Sequence, residues 1–308
     1  MPNVKNSDLL NFLPQVTEKN LNNKVVKIRF IGGGSNGKVF KAFLSDGSII
    51  ALKAFRCQGA QNEEAMQLDI LSKNTSVKMP KVLFTHADEN FAIMGMTFIE
   101  GKNVLDPVFL LKNKQQKAEF AVDVINGMSE WHSVCGKKFG DLSDPKYSSW
   151  YEYYQKEKQE PWLKGLAALC EKGKFSKKKY DLLCRATELF NKVCDEPENS
   201  VLIHGDLNIM NIMADPKTLK LIGFIDPCGS AWADREYDLF QLRNMWGDSF
   251  GLYERYKLLH KTSEYTDFRT AYYSAMNEVS YRLKPGLIMP LWEDLCSIRL
   301  KREMDKIK

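Results

Sequence analysis

The sequence predicts an α+β chain of two lobes, a small N-terminal lobe built on a β-sheet with one main helix, and a larger, mostly helical C-terminal lobe. Residues 25–98 contain short apolar runs bounded by turn residues, with one helical stretch among them. Beyond residue 101 the apolar residues recur mainly at helical spacing. With 308 residues, 44% of them hydrophobic, the chain is long enough to bury a core in each lobe.

The N-terminal lobe is predicted to span residues 1–98. An amphipathic helix that begins at a Ser7 cap should present Leu9, Leu10, Phe12 and Leu13 to the rest of this lobe. The predicted strands are 25–31, 39–44, 49–55, 81–86 and 91–98, and a helix over 62–73 lies between the third and the fourth.

The C-terminal lobe is predicted to span residues 103–308, after a hinge at 99–102. Strand pairs are expected at 201–203 and around 215–219, where helical spacing is lost. The predicted helices are 115–132, 149–171, 177–194, 234–247, 250–261, 265–283 and 290–307.

A glycine-rich loop joins the first two predicted strands. It reads Gly-Gly-Gly-Ser-Asn-Gly-Lys-Val and places Gly32, Gly34, Gly37 and Val39 at the fixed positions of G-x-G-x-x-G-x-V. Strands flank it on both sides, whereas a dinucleotide-binding loop runs into a helix. Because glycine lacks Cβ, the backbone here, including that of Ser35, can approach phosphates closely. Taken alone, the loop is weak evidence for this function, and the alternative is a flexible hairpin turn.

One lysine, Lys53, stands inside the apolar run of the third predicted strand. A lysine is rarely buried without a partner, so an acidic residue is expected nearby. Glu64 lies four residues before Leu68 and shares the inward face of the following helix, whereas Glu63 lies on a neighbouring face. We therefore expect Glu64 to pair with Lys53. The alternative is an edge-strand lysine that reaches solvent.

Three polar residues occur in order in the second half of the chain, namely Asp206, Asn211 and Asp226. Phosphoryl transfer needs one carboxylate that orients the attacking hydroxyl, and an amide with a second carboxylate that hold Mg²⁺ on the nucleotide phosphates. A glycine-rich loop and a buried lysine upstream complete the set. The sequence therefore predicts a kinase that uses ATP and Mg²⁺.

These motifs resemble those of the kinase-like superfamily that includes aminoglycoside phosphotransferases, choline kinases and fructosamine kinases, over residues 25–285. The resemblance implies a bilobal protein-kinase-like fold. It also implies that Asp206 is the catalytic carboxylate and that Asn211 and Asp226 are the magnesium ligands. The glycine loop, Lys53 and Glu64 would bind the nucleotide.

Within that superfamily the pattern is most similar to fructosamine (ketosamine) kinases and related bacterial small-molecule kinases. The similar stretches include Trp131-His132-Ser133 and Asp226-Pro227. The chain departs from them at Asn208-Ile209-Met210, where fructosamine kinases typically carry Trp-Ser-Gly. The resemblance further implies that adenine contacts the hinge at Phe98 and Ile99.

The segment after Asp226 indicates a small-molecule acceptor. It reaches the next predicted helix within fewer than a dozen residues and contains no A-P-E motif. Position 205 is glycine rather than the arginine of the H-R-D motif. Both features argue against a peptide platform. Two alternatives stay open at this point, a protein kinase of reduced type and a nucleotide-binding pseudokinase that serves as a scaffold.

Charged and aromatic residues follow near the expected acceptor opening, namely Trp232, Asp234, Arg235 and Glu236. Carboxylates and aromatic faces both favour an amine, so these residues predict an amino sugar, a ketosamine, an aminoglycoside or an amino alcohol as acceptor. Asp238 is expected to brace the catalytic loop. A further aromatic group, which suits a substrate wall and an ordinary core equally well, consists of Trp150, Tyr151, Tyr153, Tyr154 and Trp162.

Composition favours a cytoplasmic enzyme. The net charge of +5 is spread along the chain, which does not predict a nucleic-acid partner. The seven cysteines are odd in number and form no C-x-x-C pair, which indicates reduced thiols rather than disulfides or structural zinc. Residues 1–24 are polar and interrupted by Pro14, so neither a signal peptide nor a membrane partner is expected. The sequence does not determine the oligomeric state.

Overall fold

The N-terminal lobe is built on one antiparallel sheet. The computed structural model describes residues 6–34, 36–284 and 288–307, so Ser35 of the glycine-rich loop lies outside the described residues. The five strands are arranged in the order β1-β2-β3-β5-β4. The elements of this lobe are α1 (Asn6–Leu21), β1 (Val25–Gly33), β2 (Gly37–Leu44), β3 (Ile49–Phe55), α2 (Ala60–Ser72), β4 (Val82–Ala87) and β5 (Ala92–Thr97).

Helix α1 covers one face of this sheet. Leu9 and Leu13 are buried there with Phe40 of β2, because they lie four residues apart on one side of the helix. Leu10 was predicted to face the lobe as well, but it is 38% exposed. The prediction was wrong at this residue because Leu10 is one position, and so about 100°, further round the helix. Ser7, the predicted cap, already lies within the helix, which is described from Asn6 onwards.

Strand β3 and helix α2 form the other half of the lobe. β3 is paired on both sides, by β2 and β5, and most of its side chains are buried. α2 packs its buried Leu68 and Leu71 into the core cluster that includes Phe55 of β3. The inward face of α2 therefore lies against the centre of β3, which places Glu64 of α2 beside Lys53 of β3.

The C-terminal lobe is mostly helical, as predicted. The helix predicted over 115–132 is confirmed as α3, which starts at a capping box formed by Asn113 and Gln116. The helices of this lobe are α3 (Lys114–His132), α4 (Trp150–Tyr154), α5 (Glu160–Glu171), α6 (Lys177–Val193), α7 (Arg235–Leu239), α8 (Leu252–Leu259), α9 (Thr266–Ser280) and α10 (Pro290–Met304).

Two predicted helices are interrupted. The helix predicted over 149–171 contains a π-helical turn, Gln155–Gln159, between α4 and α5. The helix predicted over 234–247 ends early, because α7 passes into the 3₁₀ segment Phe240–Phe250. Within that segment Met245 and Trp246 have φ angles of 51° and 70°, which an α-helix cannot contain.

Short strands complete the C-terminal lobe, and most of them were not predicted. Elements of two to four residues are too short to display a hydrophobic period. They form a five-stranded sheet, β7-β10-β13-β8-β9, and a three-stranded sheet, β12-β11-β6. The strands are β6 (Lys102–Asn103), β7 (Cys135–Gly136), β8 (Phe139–Asp141), β9 (Asp144–Tyr147), β10 (Ser200–Ile203), β11 (Ile212–Ala214), β12 (Leu221–Phe224) and β13 (Ala231–Ala233).

Aromatic residues fill much of the second core. Trp150 and Tyr154 are at most 1% exposed and pack with Phe190, Tyr272 and Tyr273. These two residues of the predicted aromatic group therefore belong to the core. No helix in the described part of the chain combines the length and the apolar character that crossing a membrane requires.

Candidate active site

The glycine-rich loop is a tight hairpin between β1 and β2. The Gly34 amide donates to the Gly37 carbonyl at 2.9 Å, and the carbonyl of Asn36 accepts from the Arg56 amide at 3.0 Å. A Cβ at Gly34 would meet nothing within 4 Å, and the same holds at Gly32, so the backbone on this side is open to a ligand. That this loop binds phosphates stays a prediction.

Gly37 has a different role, because it lies against the neighbouring strand. A Cβ at Gly37 would be 2.2 Å from the carbonyl oxygen of Ala54 in β3. Two residues further along β2, Val39 lies opposite Lys53 in the strand register. Close packing at Gly37 therefore fixes the loop relative to Lys53.

A pair of glycine substitutions separates these two roles. Gly37→Ala should destabilise the protein by about 1–3 kcal/mol, because the new methyl group overpacks the β2–β3 contact, and should weaken ATP binding as the loop moves. Gly34→Ala is the matched control and should unfold at the wild-type temperature, since its methyl group has open space. Thermal unfolding and ATP titration measure both effects. Equal stability of the two variants would contradict this account.

Lys53 lies in the centre of β3 and is almost completely buried. Its Nζ is 2.5 Å from Oε2 of Glu64 on α2, and it also pairs with the carboxylate of Asp226 from the C-terminal lobe. Burial alone lowers the pKa of Lys53, but the carboxylates of Asp226 and Glu64 outweigh burial and raise it. Lys53 is therefore a fixed cation that contacts both lobes.

The neighbouring glutamates of α2 have different surroundings. Glu64 is 6% exposed, and burial raises its pKa to about 7 against the opposing effect of Lys53. Glu63 is exposed and accepts a hydrogen bond from Gln67 at 3.3 Å. The inward position of Glu64 follows from its spacing to Leu68, which is the argument that the sequence supplied.

The loop that contains Asp206 is held in place by hydrogen bonds to Asp238 of α7. The Asp238 carboxylate accepts from the amides of His204 at 3.1 Å and Gly205 at 2.9 Å. Gly205 has a φ of +82°, and a Cβ there would lie 2.4 Å from the Cys228 carbonyl oxygen. The loop therefore needs glycine at this position for its conformation and for its contact with the segment after Asp226.

His204 supports this loop in its neutral form. It is fully buried against Trp131, with 5.4 Å between the ring centres, and burial lowers its pKa to about 4. Its Nδ1 accepts from the Asp206 amide at 3.4 Å. A buried neutral ring in this position orients the loop, and its low pKa makes it a poor proton acceptor at pH 7.

Asp206 is oriented by two amides. Asn208 donates to its Oδ1 at 2.8 Å and Asn211 to its Oδ2 at 3.0 Å. Burial and then the nearby Asp226 carboxylate raise the pKa of Asp206 to about 8. The carboxyl group is therefore held in one direction, in surroundings that increase its affinity for a proton.

Asn211 and Asp226 bring oxygen ligands to the same place. The Ile225 amide donates to the Asn211 carbonyl at 2.9 Å, which ties the two segments together. Asp226 has a φ of 57°, and 43% of its side chain is exposed. Amide and carboxylate oxygens suit Mg²⁺, which usually takes its other ligands from water and phosphates. In the described part of the chain there is no cluster of three or more His, Cys, Asp or Glu that could hold a metal.

The expected adenine contacts lie at the end of β5. Phe98 is half-buried, with Nζ of Lys41 4.0 Å from its ring centre. Ile99 is 6% exposed and lies beside Gly223 of β12, where a Cβ would be 3.1 Å from its Cγ2. Both residues therefore lie where the two lobes join. Their contact with adenine stays a prediction.

Two of the predicted acceptor residues are instead parts of a buried ion network. Asp234 and Glu236 are only 2% and 3% exposed. Asp234 is 2.9 Å from the guanidinium of Arg269 and accepts from Tyr273 at 3.2 Å. Glu236 accepts from the Ser263 hydroxyl at 2.7 Å. We correct the expectation for these carboxylates, because their charges are already satisfied inside the lobe.

Arg235 and Trp232 also have partners within the protein. The guanidinium of Arg235 donates to the carbonyl of Lys261 and is half-buried. Trp232 lies in β13, paired with Leu202, and its ring covers Gly136, where a Cβ would be 2.6 Å away. The four residues thus do not converge on an opening, and their positions do not support the predicted acceptor contact.

Other residues near Asp206 were missed by sequence reasoning. The Asn36 amide at the tip of the glycine-rich loop donates to Cys228 Sγ at 3.5 Å, which joins the two lobes. Burial and then the carboxylate of Asp206 raise the pKa of Tyr281, which follows α9. Glu278 lies three residues before Tyr281, and burial raises its pKa to about 7. The proximity of Cys228 to Asp226 was visible in the sequence, but nothing local indicated the residues after α9.

Comparison with known proteins places the chain in a family. The model described as the phosphotransferase enzyme family matches residues 27–272. The uncharacterized protein YcbJ of Escherichia coli K12 is 21% identical over an alignment of 235 residues that covers 72% of this chain and 75% of YcbJ.

Two solved structures share the fold. A provisionally assigned fructosamine-3-kinase from Thermobifida fusca has a TM-score of 0.71 at 16% identity, covering 96% of this chain and 99% of its own. The GDP and kanamycin complex of APH(2")-IIIa has a TM-score of 0.69 at 15% identity, covering 97% of this chain and 100% of its own. These likenesses confirm the predicted bilobal kinase-like fold. Because the family model matches most of this chain, from β1 to α9, the chain belongs to the phosphotransferase enzyme family.

Proposed function

We propose that this enzyme transfers the γ-phosphoryl group of ATP to a hydroxyl group of a small molecule. One observation carries the proposal, namely the connected set formed by Lys53, Asp226, Asn211 and Asp206. Lys53 pairs with Asp226, while Asn211 donates to the Asp206 carbonyl at 2.7 Å and to its carboxylate at 3.0 Å. A phosphate-binding cation, oxygen ligands for a metal and a carboxylate for the acceptor are thus adjacent, as phosphoryl transfer requires.

In the proposed mechanism, ATP lies between the lobes beneath the glycine-rich loop. Lys53, held by Glu64, contacts the phosphates that are not transferred. Asn211 and Asp226 would hold Mg²⁺, which neutralises charge on the phosphate oxygens. Asp206 orients the acceptor hydroxyl and accepts its proton as the oxygen bonds to the γ-phosphorus and the bond to ADP breaks. Positioning and charge stabilisation account for most of the rate.

For the acceptor we propose an amino sugar, a ketosamine, an aminoglycoside or an amino alcohol. The names of the two structural neighbours, a fructosamine-3-kinase and a complex with kanamycin, motivate this range. With Asp234 and Glu236 paired inside the lobe, Glu278 is the carboxylate that we propose for the amine. It is only partly buried, and its neighbour Tyr281 lies near Asp206. All seven cysteines are free, which supports a reducing compartment such as the cytoplasm.

The role of Asp226 gives the test of this function. The protein should bind ATP more tightly with Mg²⁺ than without it, and Asp226→Ala should remove most of that difference while Glu64 keeps Lys53 paired. Calorimetric titration with and without Mg²⁺ measures the effect. Asp215→Ala is the control, because this carboxylate accepts its hydrogen bonds within the exposed turn between β11 and β12. Equal affinity in the wild type with and without Mg²⁺ would refute the assignment.

The acceptor itself requires a screen. ADP release is measured over sugar amines, ketosamines, aminoglycosides, amino alcohols and neutral sugars of matched size. Glu278→Gln should raise KM for the amine-containing acceptors and leave KM for neutral ones unchanged. A variant that raises KM equally for both groups would show that Glu278 does not contact the amine.

A further inference from the structure

Lys158 is held among three aromatic rings in the C-terminal lobe. Its Nζ lies 5.9 Å from the ring centre of Tyr153, 5.8 Å from that of Trp162 and 5.7 Å from that of Tyr237. Each ring attracts the ammonium through its negative face. The three rings come from the end of α4, from α5 and from α7, so tertiary packing rather than local sequence assembles them.

The backbone around Lys158 is irregular. Lys158 is the fourth residue of the π-helical turn Gln155–Gln159, which interrupts an otherwise continuous helix. An inserted residue of this kind shifts the side chains on either side relative to one another, and such turns occur often at functional sites. In a regular helix Lys158 would share a face with Tyr154, which is buried in the core.

The charge of Lys158 is not neutralised by a carboxylate. Across the described ranges, no carboxylate oxygen lies within the 4.0 Å that defines an ion pair for its Nζ. The nearby Asp141 carboxylate instead accepts from the Tyr153 hydroxyl at 3.4 Å. Two residues earlier, Lys156 is paired with Glu152 at 2.8 Å on the exposed side of the helix. Lys158 is thus a half-buried cation that lies among three aromatic rings.

The rings around Lys158 border the catalytic loop. Tyr237 directly precedes Asp238, whose carboxylate accepts from the Gly205 amide at 2.9 Å. Gly205 contacts Cys228. Burial raises the pKa of Tyr237, and the charges of Asp238 and Cys228 raise it further. Helix α5, which carries Trp162, also packs its Gly165 on Leu283, and Leu283 lies in the same 3₁₀ turn as Tyr281. Lys158 is therefore connected, through Tyr237 and the neighbouring Asp238, to the loop that contains Asp206.

We propose that Lys158 determines acceptor specificity by binding a carboxylate of the acceptor at the end away from the phosphorylated hydroxyl. This inference rests on the proposed function. The acceptor class that satisfies both is a hydroxyl compound that carries a carboxylate, such as a ketosamine formed from an amino acid. In that compound the carboxylate would reach Lys158, the amine would reach Glu278 and a sugar hydroxyl would reach Asp206.

Matched pairs of acceptors test this inference. Fructosyl-glycine is compared with fructosyl-ethylamine, galacturonate with galactose, and glycerate with glycerol, so that each pair differs chiefly in its carboxylate. Turnover is measured as ADP release. Binding is measured by calorimetry with Mg²⁺ and a non-hydrolysable ATP analogue, so that it does not depend on turnover.

The variants are Lys158→Met, which keeps the length of the side chain without the charge, and Lys158→Arg, which keeps the charge. Lys156→Met is the matched control. In the wild type we expect a carboxylate member to be favoured by about 10-fold or more, since a hydrogen bond between charged groups contributes at least that much. Lys158→Met should abolish the preference, and Lys158→Arg and Lys156→Met should keep it.

Three results would overturn the inference. They are equal affinity for both members of every pair, no binding of any carboxylate member, and a preference that survives in Lys158→Met. Failure of the proposed function has a different signature, because no acceptor would then give ADP release although pairs could still differ in binding. The binding preference therefore separates the two outcomes.

Discussion

Replacing Asp206 by asparagine should lower turnover by about 10²-fold or more, since a positioned general base contributes roughly that much. The asparagine side chain has the same shape and keeps one oxygen, which can accept from one of the two amides, Asn208 or Asn211, because these donate to opposite oxygens of Asp206. What is lost is the group that accepts the hydroxyl proton. Binding of ATP with Mg²⁺ should change little, because Lys53, Asn211 and Asp226 remain.

Steady-state ADP release with an acceptor from the screen measures this effect, and calorimetry measures the binding of ATP with Mg²⁺. Asp215→Asn, which changes a carboxylate on the exposed turn after β11, is the matched control and should keep full turnover. Near-normal turnover by Asp206→Asn would show that Asp206 is not the group that handles the hydroxyl proton.

Arg269→Met should destabilise the protein by about 3–5 kcal/mol, the usual cost of removing one partner of a buried ion pair. Arg269 is 2% exposed, and its guanidinium is 2.9 Å from Asp234 and 3.9 Å from Glu236. Without it, two buried carboxylates lie close together with no cation between them. Each must then be protonated or admit water.

Chemical denaturation at neutral pH measures this loss. The triple variant Arg269→Met, Asp234→Asn and Glu236→Gln should recover part of the stability, because no unpaired charge is left in the core. Lys73→Met is the control, because its exposed pair with Asp69 should contribute about 0.5 kcal/mol or less. A loss no larger than that of the control would contradict the network described here.

The proximity of the residues proposed for catalysis could be predicted, because chemistry and local structure constrain their positions together. Asp206 and Asn211 lie in one loop, and Asp226 follows after a single hairpin, so a short stretch of sequence contains all three. The Lys53–Glu64 pair was also predictable, because Lys53 lies in a strand and Glu64 lies on the inward face of the helix that follows it. In both cases few residues separate the groups that interact.

The acceptor side could not be predicted in the same way. Asp234 and Glu236 looked available in the sequence, but their cation, Arg269, comes from α9, more than thirty residues further along the chain. The rings around Lys158 come from three helices. The short strand β10 likewise pairs with β7 and β13, which lie far from it in the sequence.

The sequence by itself determined the two-lobe fold class and the spacing of the residues proposed to handle phosphate, because hydrophobic periods and local motifs encode them. Only the tertiary structure decided which charges are neutralised in the core. The physical reason is that a charge acquires its role from its burial and from the charges within a few ångströms of it. Those neighbours are brought together by packing between helices, which no local pattern records.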